Sequence, residues 1–256
     1  MLRRYHGWRR DTPDPRDVRM GRTGAWLRSL LAPKAVDLST GRLPRVEVQD
    51  PLGSCVACGT TSAVEYVAIR DQHSLVELSR LWVYYATRVW IEHSAPTDDC
   101  GCEIRNAIKA LARYGVPAED AWPYDPTQFS VMPPRSVGVL AAHRRIAGYV
   151  RCLNLTSIKA ALASGWPVVG GFSCPQSIED EATTKSGIVA LPQPGERIVG
   201  GHCVLFCGFD STTKLLKFQN SWGRTWGQRG FGFLPFAYVT RGLADDFWFI
   251  QGVRET

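Results

Sequence analysis

Long apolar runs are missing from this chain of 256 residues. None approaches the ~20 consecutive apolar residues of a membrane-crossing helix, so no membrane span is expected. The start, Met1 to Trp8, is basic, and no apolar segment follows it. No Sec signal peptide is therefore expected. The expected location is the cytoplasm on synthesis, or outside it by a signal-less route. Internal repeats and low-complexity tracts are also absent. Charge of one sign is only modestly in excess, at +6, and much of it lies early, in Arg3, Arg4, Arg9, Arg10, Arg16, Arg19 and Arg22. That pattern reads as a solvated basic segment and calls for no specific nucleic-acid partner. Charged residues make up 21% and apolar residues 45%, which argues against disorder and leaves ample material for a core.

Cysteine is not scarce: positions 55, 58, 100, 102, 152, 174, 203 and 207 carry it. The even number invites disulfides, but a chain this long needs no staples. Cys100 and Cys102 are awkward partners for each other. With no export signal, mostly reduced thiols are expected. Cys55-Val56-Ala57-Cys58 with Cys100-Gly101-Cys102 also allows a zinc or redox reading. C-x-C is a poor second zinc knuckle, however, and no βαβ pattern precedes the C-x-x-C. Cys58 reads as small core packing, and no metal or organic cofactor is expected.

Residues 1–45, rich in Arg, Pro and Asp, read as an extended N-terminal arm with one apolar patch at Trp26, Leu27, Leu30 and Leu31. Residues 46–256 read as one catalytic-type domain in two parts. Helical spacing marks about 55–71, 79–91 and 104–114. Past Pro117 the character changes: strands are expected near 147–152, 168–172, 203–209, 215–219, 231–234 and 247–253, with a short helix at 157–164. A helical part (about 50–145) thus precedes a strand-rich part (about 146–253). That segregation predicts an α+β fold of two lobes with a cleft between them. Residues 175–200 read as a long irregular loop.

Four residues in that frame carry chemistry. Cys55 opens a helix, where the positive end of the helix dipole favours a thiolate. His202 follows Gly200 and Gly201 and begins the apolar strand 203–209, which could aim its ring into the cleft and stabilise the thiolate further. The other histidines, His6, His73, His93 and His143, sit in the arm or on the helical part and its exit. Asn220 ends the strand 215–219, one strand on from His202, where its amide oxygen could fix the imidazole tautomer. Trp222 could roof the pair. Gln49, with the Cys55 backbone N–H, could supply donors for an oxyanion.

Gln49-Asp50-Pro51-Leu52-Gly53-Ser54-Cys55 resembles the nucleophile motif of the papain-like cysteine proteases, and Asn220-Ser221-Trp222-Gly223 followed by Trp226-Gly227 resembles their asparagine motif. The spacing from Cys55 to His202 fits the family's roughly 130–150 residues, and that to Asn220 is a little long. Tyr5-His6-Gly7-Trp8, Leu78-Ser79-Arg80-Leu81 and Trp122-Pro123-Tyr124 resemble bacterial and phage-type members. The resemblance covers about residues 44–253. It implies a papain-like two-lobed fold, a helical lobe beside a β-barrel-like lobe. It also implies a cysteine-type endopeptidase acting through a thioester acyl-enzyme on an extended peptide or protein substrate. Cys55 would be the nucleophile, His202 the acid/base, Asn220 its orienter, Gln49 an oxyanion donor and Trp222 a shield. Gly101 and Cys102 fall where two glycines pair with substrate, and Gly201 replaces a polar residue before the histidine. Cys102 could narrow the cleft. Leu52 stands where some members have a disulfide cysteine, which fits reduced thiols. A catalytically idle binding module is the competing reading. The arm could occupy the cleft in cis, with Trp26, Leu27 and Leu30 as plugs, or could serve as a structural strap.

Overall fold

A computed structural model describes residues 6–21, 33–40, 43–71 and 76–255. Val64, Val67 and Ala68 mark helix α1, which runs Cys55–Arg70. It is buried from Cys55 through Ala68 apart from Tyr66. A helix covered on nearly every side has no polar face for periodicity to reveal. One side of α1 meets helices α2 (Arg80–Tyr85) and α3 (Ile104–Arg113), and the other meets the sheet. Inside it, Thr60 and Thr61 satisfy their hydroxyls on the carbonyls of Val56 and Ala57, each at 2.8 Å.

Helix α2 starts at Ser79, whose hydroxyl accepts the Trp82 N–H at 3.2 Å. It continues as a π-helical turn, Ala86–Ile91, that buries Arg88. The Arg88 guanidinium donates to the carbonyls of Pro96 at 3.2 Å and Phe129 at 2.8 Å, and to that of Asp98. A buried cation thus fixes the loop that leads to Gly101, with three carbonyls in place of water.

Short strands β1 (Trp8–Arg9) and β3 (Cys102–Glu103) pair in parallel, and β2 (Ala35–Asp37) adds to the main sheet. That sheet holds β4 (Arg144–Cys152), β5 (Val168–Pro175), β6 (Ile198–Asp210), β7 (Leu215–Gln219), β8 (Phe231–Pro235) and β9 (Ala244–Glu255). Its order is β4-β9-β5-β6-β7-β8, antiparallel throughout, with β2 on β6. Helices α4 (Arg135–Ala142), α5 (Leu155–Ala163), α6 (Glu181–Ser186) and α7 (Phe236–Thr240) complete the described elements.

The fold is α+β as expected, but the sheet is not a closed barrel. Its end strands do not pair with each other among the described residues. Ile188 bridges to Phe233 on β8, and Arg19 of the arm bridges to Arg151 on β4. Each edge is met by local chain instead of by the opposite edge. Two further expectations are corrected. β6 begins at Ile198, so His202 lies inside a strand and not at its start. Residues 175–200 are not one irregular loop, because a 3₁₀ turn (Gln176–Glu179) and α6 interrupt them. Trp26, Leu27 and Leu30 lie outside the described residues.

Candidate active site

The β6–β7 register brings the distant motif residues together. Leu205 lies opposite Gln219. One residue on, Asn220 therefore comes beside Val204, and His202 is the next residue on that face of β6. His202 Nε2 and Asn220 Oδ1 are 2.7 Å apart. Asn220 Oδ1 also accepts the Ser221 N–H at 2.8 Å. An oxygen already accepting a backbone N–H fixes the amide's orientation, so Nε2 is the ring nitrogen that carries the proton. Trp222 stacks on the imidazole, with ring centroids 4.3 Å apart and planes at 24°. Phe172, opposite His202 in the β5–β6 register, meets it edge-on at 5.8 Å. The pair is sealed from water: His202 is 0% and Asn220 3% exposed.

Cys55 stands at the first turn of α1, beside β6. The backbone N–H groups of Cys203 and Gly7 favour its anion. The sequence led us to expect a lowered thiol pKa here. Instead, burial pushes the Cys55 thiol up to about 11, outweighing those N–H groups. Trp8 of the arm belongs to the buried cluster around Cys55. Cys58 is buried, and its thiol is likewise raised by burial. None of the eight cysteines forms a disulfide.

Gln49 is fully buried and held at both ends of its amide. Its Oε1 accepts the Ser221 hydroxyl at 2.7 Å, and its Nε2 donates to the Leu52 carbonyl at 3.0 Å. Its backbone N–H donates to the Ser221 carbonyl at 2.9 Å. Sequence reasoning missed the residues that brace this loop. The Tyr124 hydroxyl donates to the Gln49 carbonyl at 2.5 Å and lies 2.6 Å from the Ser54 hydroxyl. The Asp99 carboxylate accepts the Gly53 N–H at 3.0 and 3.1 Å and also the Tyr84 hydroxyl. Trp122-Pro123-Tyr124 was visible as a motif, but nothing in it showed where the hydroxyl would point. Asp99 carried no signal.

Residues 6–9 lie on these groups. The Gly7 carbonyl accepts the Cys102 N–H at 2.8 Å, and Trp8 pairs with Cys102 in β1–β3. The His6 ring lies 6.4 Å from that of His202 and 6.1 Å from that of Trp222. Gly101, with φ +66°, faces Gly7, and Gly201 faces Trp8. Cys102 is fully buried in the same apolar cluster as Trp8 and Cys55.

This architecture defines a papain-like cysteine peptidase fold. A family model described as papain family cysteine protease matches residues 32–239, and the chain belongs to that family. Among solved structures, xylellain, a cysteine protease from Xylella fastidiosa, is similar at TM-score 0.87 and 31% identity, over 99% of this chain and 100% of that one. An uncharacterized peptidase C1-like protein of Acanthamoeba polyphaga mimivirus is 37% identical over 81% of this chain and 70% of its own length. A cathepsin L-like proteinase of Fasciola hepatica is 24% identical over 75% of this chain, which spans only 56% of it. Digestive procathepsin L 3 of Tenebrio molitor shares the fold at TM-score 0.67 and 21% identity, over 92% of this chain and 74% of that one.

Proposed function

We propose that this chain hydrolyses peptide bonds with Cys55 as nucleophile, His202 as general acid/base, Asn220 as its orienter and Gln49 as an oxyanion donor. The observation that carries the reading is the 2.7 Å contact between His202 and Asn220 beneath Trp222, beside the first turn of α1. With the proton fixed on Nε2, Nδ1 is the nitrogen that exchanges a proton with the sulfur. The thiolate attacks the substrate carbonyl. As the C–N bond breaks, His202 protonates the departing amine and a thioester remains on Cys55. His202 then takes a proton from water, the hydroxide attacks the thioester, and cleavage of the C–S bond returns the thiolate. Gln49 and the Cys55 N–H face the oxygen on which charge develops. Gly101, Cys102 and Gly201 line the path of an extended peptide, and Trp222 keeps water from the His202–Asn220 bond.

In this reading residues 6–9 of the arm occupy the cleft in cis and hold the protein latent. The main-chain pairing of Gly7 and Trp8 with Cys102 supports this, as does the complete burial of Cys55. Residues 10–20 of the arm act as a strap. Trp26, Leu27 and Leu30, named earlier as plugs, lie outside the described residues; among those described, His6, Gly7 and Trp8 lie on the site. Treatment of the protein lacking residues 1–20 with an epoxysuccinyl inhibitor, followed by intact mass, should give one adduct, at Cys55. Cys55→Ala should lower kcat/KM at least about a thousandfold. An adduct on another cysteine, or full hydrolysis by Cys55→Ala, overturns the assignment. The competing reading, an idle binding module, draws on the same raised thiol. Deletion of residues 1–20 separates the two: a latent peptidase gains activity, and an idle module gains none.

A further inference from the structure

Nine large apolar side chains are exposed among the described residues, and four of them fall within residues 131–140: Val131, Met132, Val139 and Leu140, between 44% and 69% exposed. Helix α4 buries Val137 and Ala141 and turns Val139 and Leu140 to solvent. A helix with apolar residues on both faces has a second face to cover. Met132 and Val139 line a groove of about 780 Å³ together with Trp82 and Trp90, and an adjoining hollow of about 540 Å³ shares both tryptophans. Both have the size of a ligand-binding cleft. The floor is rigid. Trp90 sits in the π-helical turn, partly exposed, and Trp82, Tyr85 and Tyr114 pack edge-on against it with ring centroids 5.1, 5.5 and 5.1 Å away. The Trp82 indole N–H donates to the Gly115 carbonyl at 3.0 Å, so its polar atom is satisfied within the fold. Gly138 of α4 faces the Trp82 ring: a Cβ there would already touch Cη2 at 3.5 Å.

The walls are cationic. Arg113, Arg135 and Arg145 line the two hollows, and no carboxylate among the described residues does. None of the three arginines has an ion pair among the described residues. The β4–β9 register holds a contrast. Arg144 lies opposite Glu255 and binds it at 2.8 Å. The next pair, on the other face, sets the exposed Arg145 directly beside the exposed Arg254. Like charges opposite each other destabilise a sheet, so this face gains when an anion arrives.

We propose that this groove docks an acidic segment of a protein partner. One aromatic side chain of the segment seats against Trp82 and Trp90, and carboxylates on either side of it pair with Arg113, Arg135 and Arg145. Guanidinium groups match carboxylates two bonds at a time, and a floor already fixed by its own rings takes up an anchor without first being ordered. Val131, Met132, Val139 and Leu140 supply the dry surround that such an anchor needs. A bilayer surface, being flat, does not reach the floor of a groove. None of these residues belongs to the site at Cys55, so the proposal stands or falls apart from the peptidase reading.

The test uses the full-length chain carrying Cys55→Ala, so that no probe is cleaved. The probe is a fluorescein-labelled peptide with three glutamates on each side of one tryptophan, followed by anisotropy at low and high salt. Binding should saturate and weaken as salt rises. A probe with serine in place of its tryptophan should bind at least about tenfold more weakly. Arg145→Glu and Met132→Asp alter exposed side chains and should fold, and each should weaken the tryptophan probe at least about tenfold. Arg224→Glu, at an exposed arginine that does not line the groove, should change it less than about threefold. No binding up to about 1 mM, equal binding of the serine probe, or binding that survives both groove variants overturns the proposal. Tighter binding of a heparin fragment, a single-stranded oligonucleotide or phosphatidylserine vesicles, lost in Arg145→Glu, would make the face a general polyanion surface and overturns it as well.

Discussion

Residues 6–8 and residues 10–20 belong to one arm and are held by opposite means. The first stretch makes main-chain contacts and shape contacts: Gly7 on Cys102 and Gly53, His6 on Gly200, Trp8 on Gly171 and Gly201. The second is tied by charge. Arg10 reaches Asp245 at 3.3 Å, Thr12 donates twice to Glu103, and Asp17 pairs with Arg105 at 3.1 Å and Arg151 at 3.2 Å. Between them Asp11 is buried, accepting the Arg105 N–H at 3.1 Å and the Trp248 indole N–H at 2.8 Å. Val18 and Met20 then pair with the backbone of Arg151. The strap thus joins Glu103 and Arg105 at the start of α3 to Arg151, Asp245 and Asp246 of the sheet. Close fit holds the stretch over Cys55, and polar groups hold the stretch that ties helices to sheet. Contacts that need close fit fail with one added methyl, whereas a network of ion pairs loses its members one at a time.

The sharpest way to break that contrast is Gly7→Val. A Cβ at Gly7 would lie 1.7 Å from the Gly53 carbonyl oxygen, and both are main chain with nowhere to go. The stretch should leave the site while residues 10–20 stay bound. Alkylation of Cys55 by iodoacetamide should then accelerate at least about tenfold, because the thiol regains water and the solvation of its anion. Unchanged alkylation would mean that the cover does not govern access to the sulfur.

How far the sequence could foresee this arm shows what one-dimensional patterns carry. Cys55, His202, Asn220 and Gln49 were legible because each sits in a motif whose residue types have few other uses together. The helices were legible where one face is wet, as in α3, and incompletely so in α1, which has no wet face. The start of β6 was misread because Gly200 and Gly201 look like a break, yet they are strand residues left bare to admit His6 and Trp8. The roles of Asp99, Tyr124 and Ser221 were not legible, because each acts through hydrogen bonds to residues far away in the chain. The raised Cys55 thiol was unforeseeable because it comes from burial in a cluster whose members, Trp8 among them, are distant in the chain.

A smaller effect should appear with pH, through the joint between the two stretches. Asp11 donates its backbone N–H to Asp246 Oδ2 at 2.7 Å, and Asp246 Oδ1 accepts from Arg151 at 2.7 Å. Arg105, Arg151 and the Trp248 indole face this pair and favour its charge, while Asp245 opposes it. Burial outweighs them, and each carboxyl burdens the other, so both pKa values rise above the ordinary carboxylate range. A group raised in the docked state favours docking most fully below its free pKa of about 3.9. That contribution is lost as pH climbs through about 6 and about 7. The arm should therefore loosen toward pH 8. The readout is the Cys55 labelling rate divided by that of Gly7→Val at each pH, which cancels the thiol's own ionisation. The ratio should rise several-fold from pH 5 to 8. Asp246→Asn should flatten it, and asparagine tolerates the φ of 57° found there. An identical rise in the variant would place the titration elsewhere.

The smallest expected effect comes from the outer strap, and it bounds the contrast from the other side. The Arg10 and Asp245 side chains are about half exposed, at 52% and 48%. Arg10 also donates to the Gly242 carbonyl at 2.7 Å and lies 5.6 Å from the Trp8 ring centre. Exposed pairs of this kind contribute about 0–1 kcal/mol and are screened by salt. Arg10→Ala should change Cys55 alkylation by no more than about fivefold, with the difference shrinking at high salt. A change as large as that of Gly7→Val would show that charge, and not fit, keeps Cys55 covered. A small and salt-sensitive change would leave the main-chain contacts of residues 6–8 as the principal hold on the site.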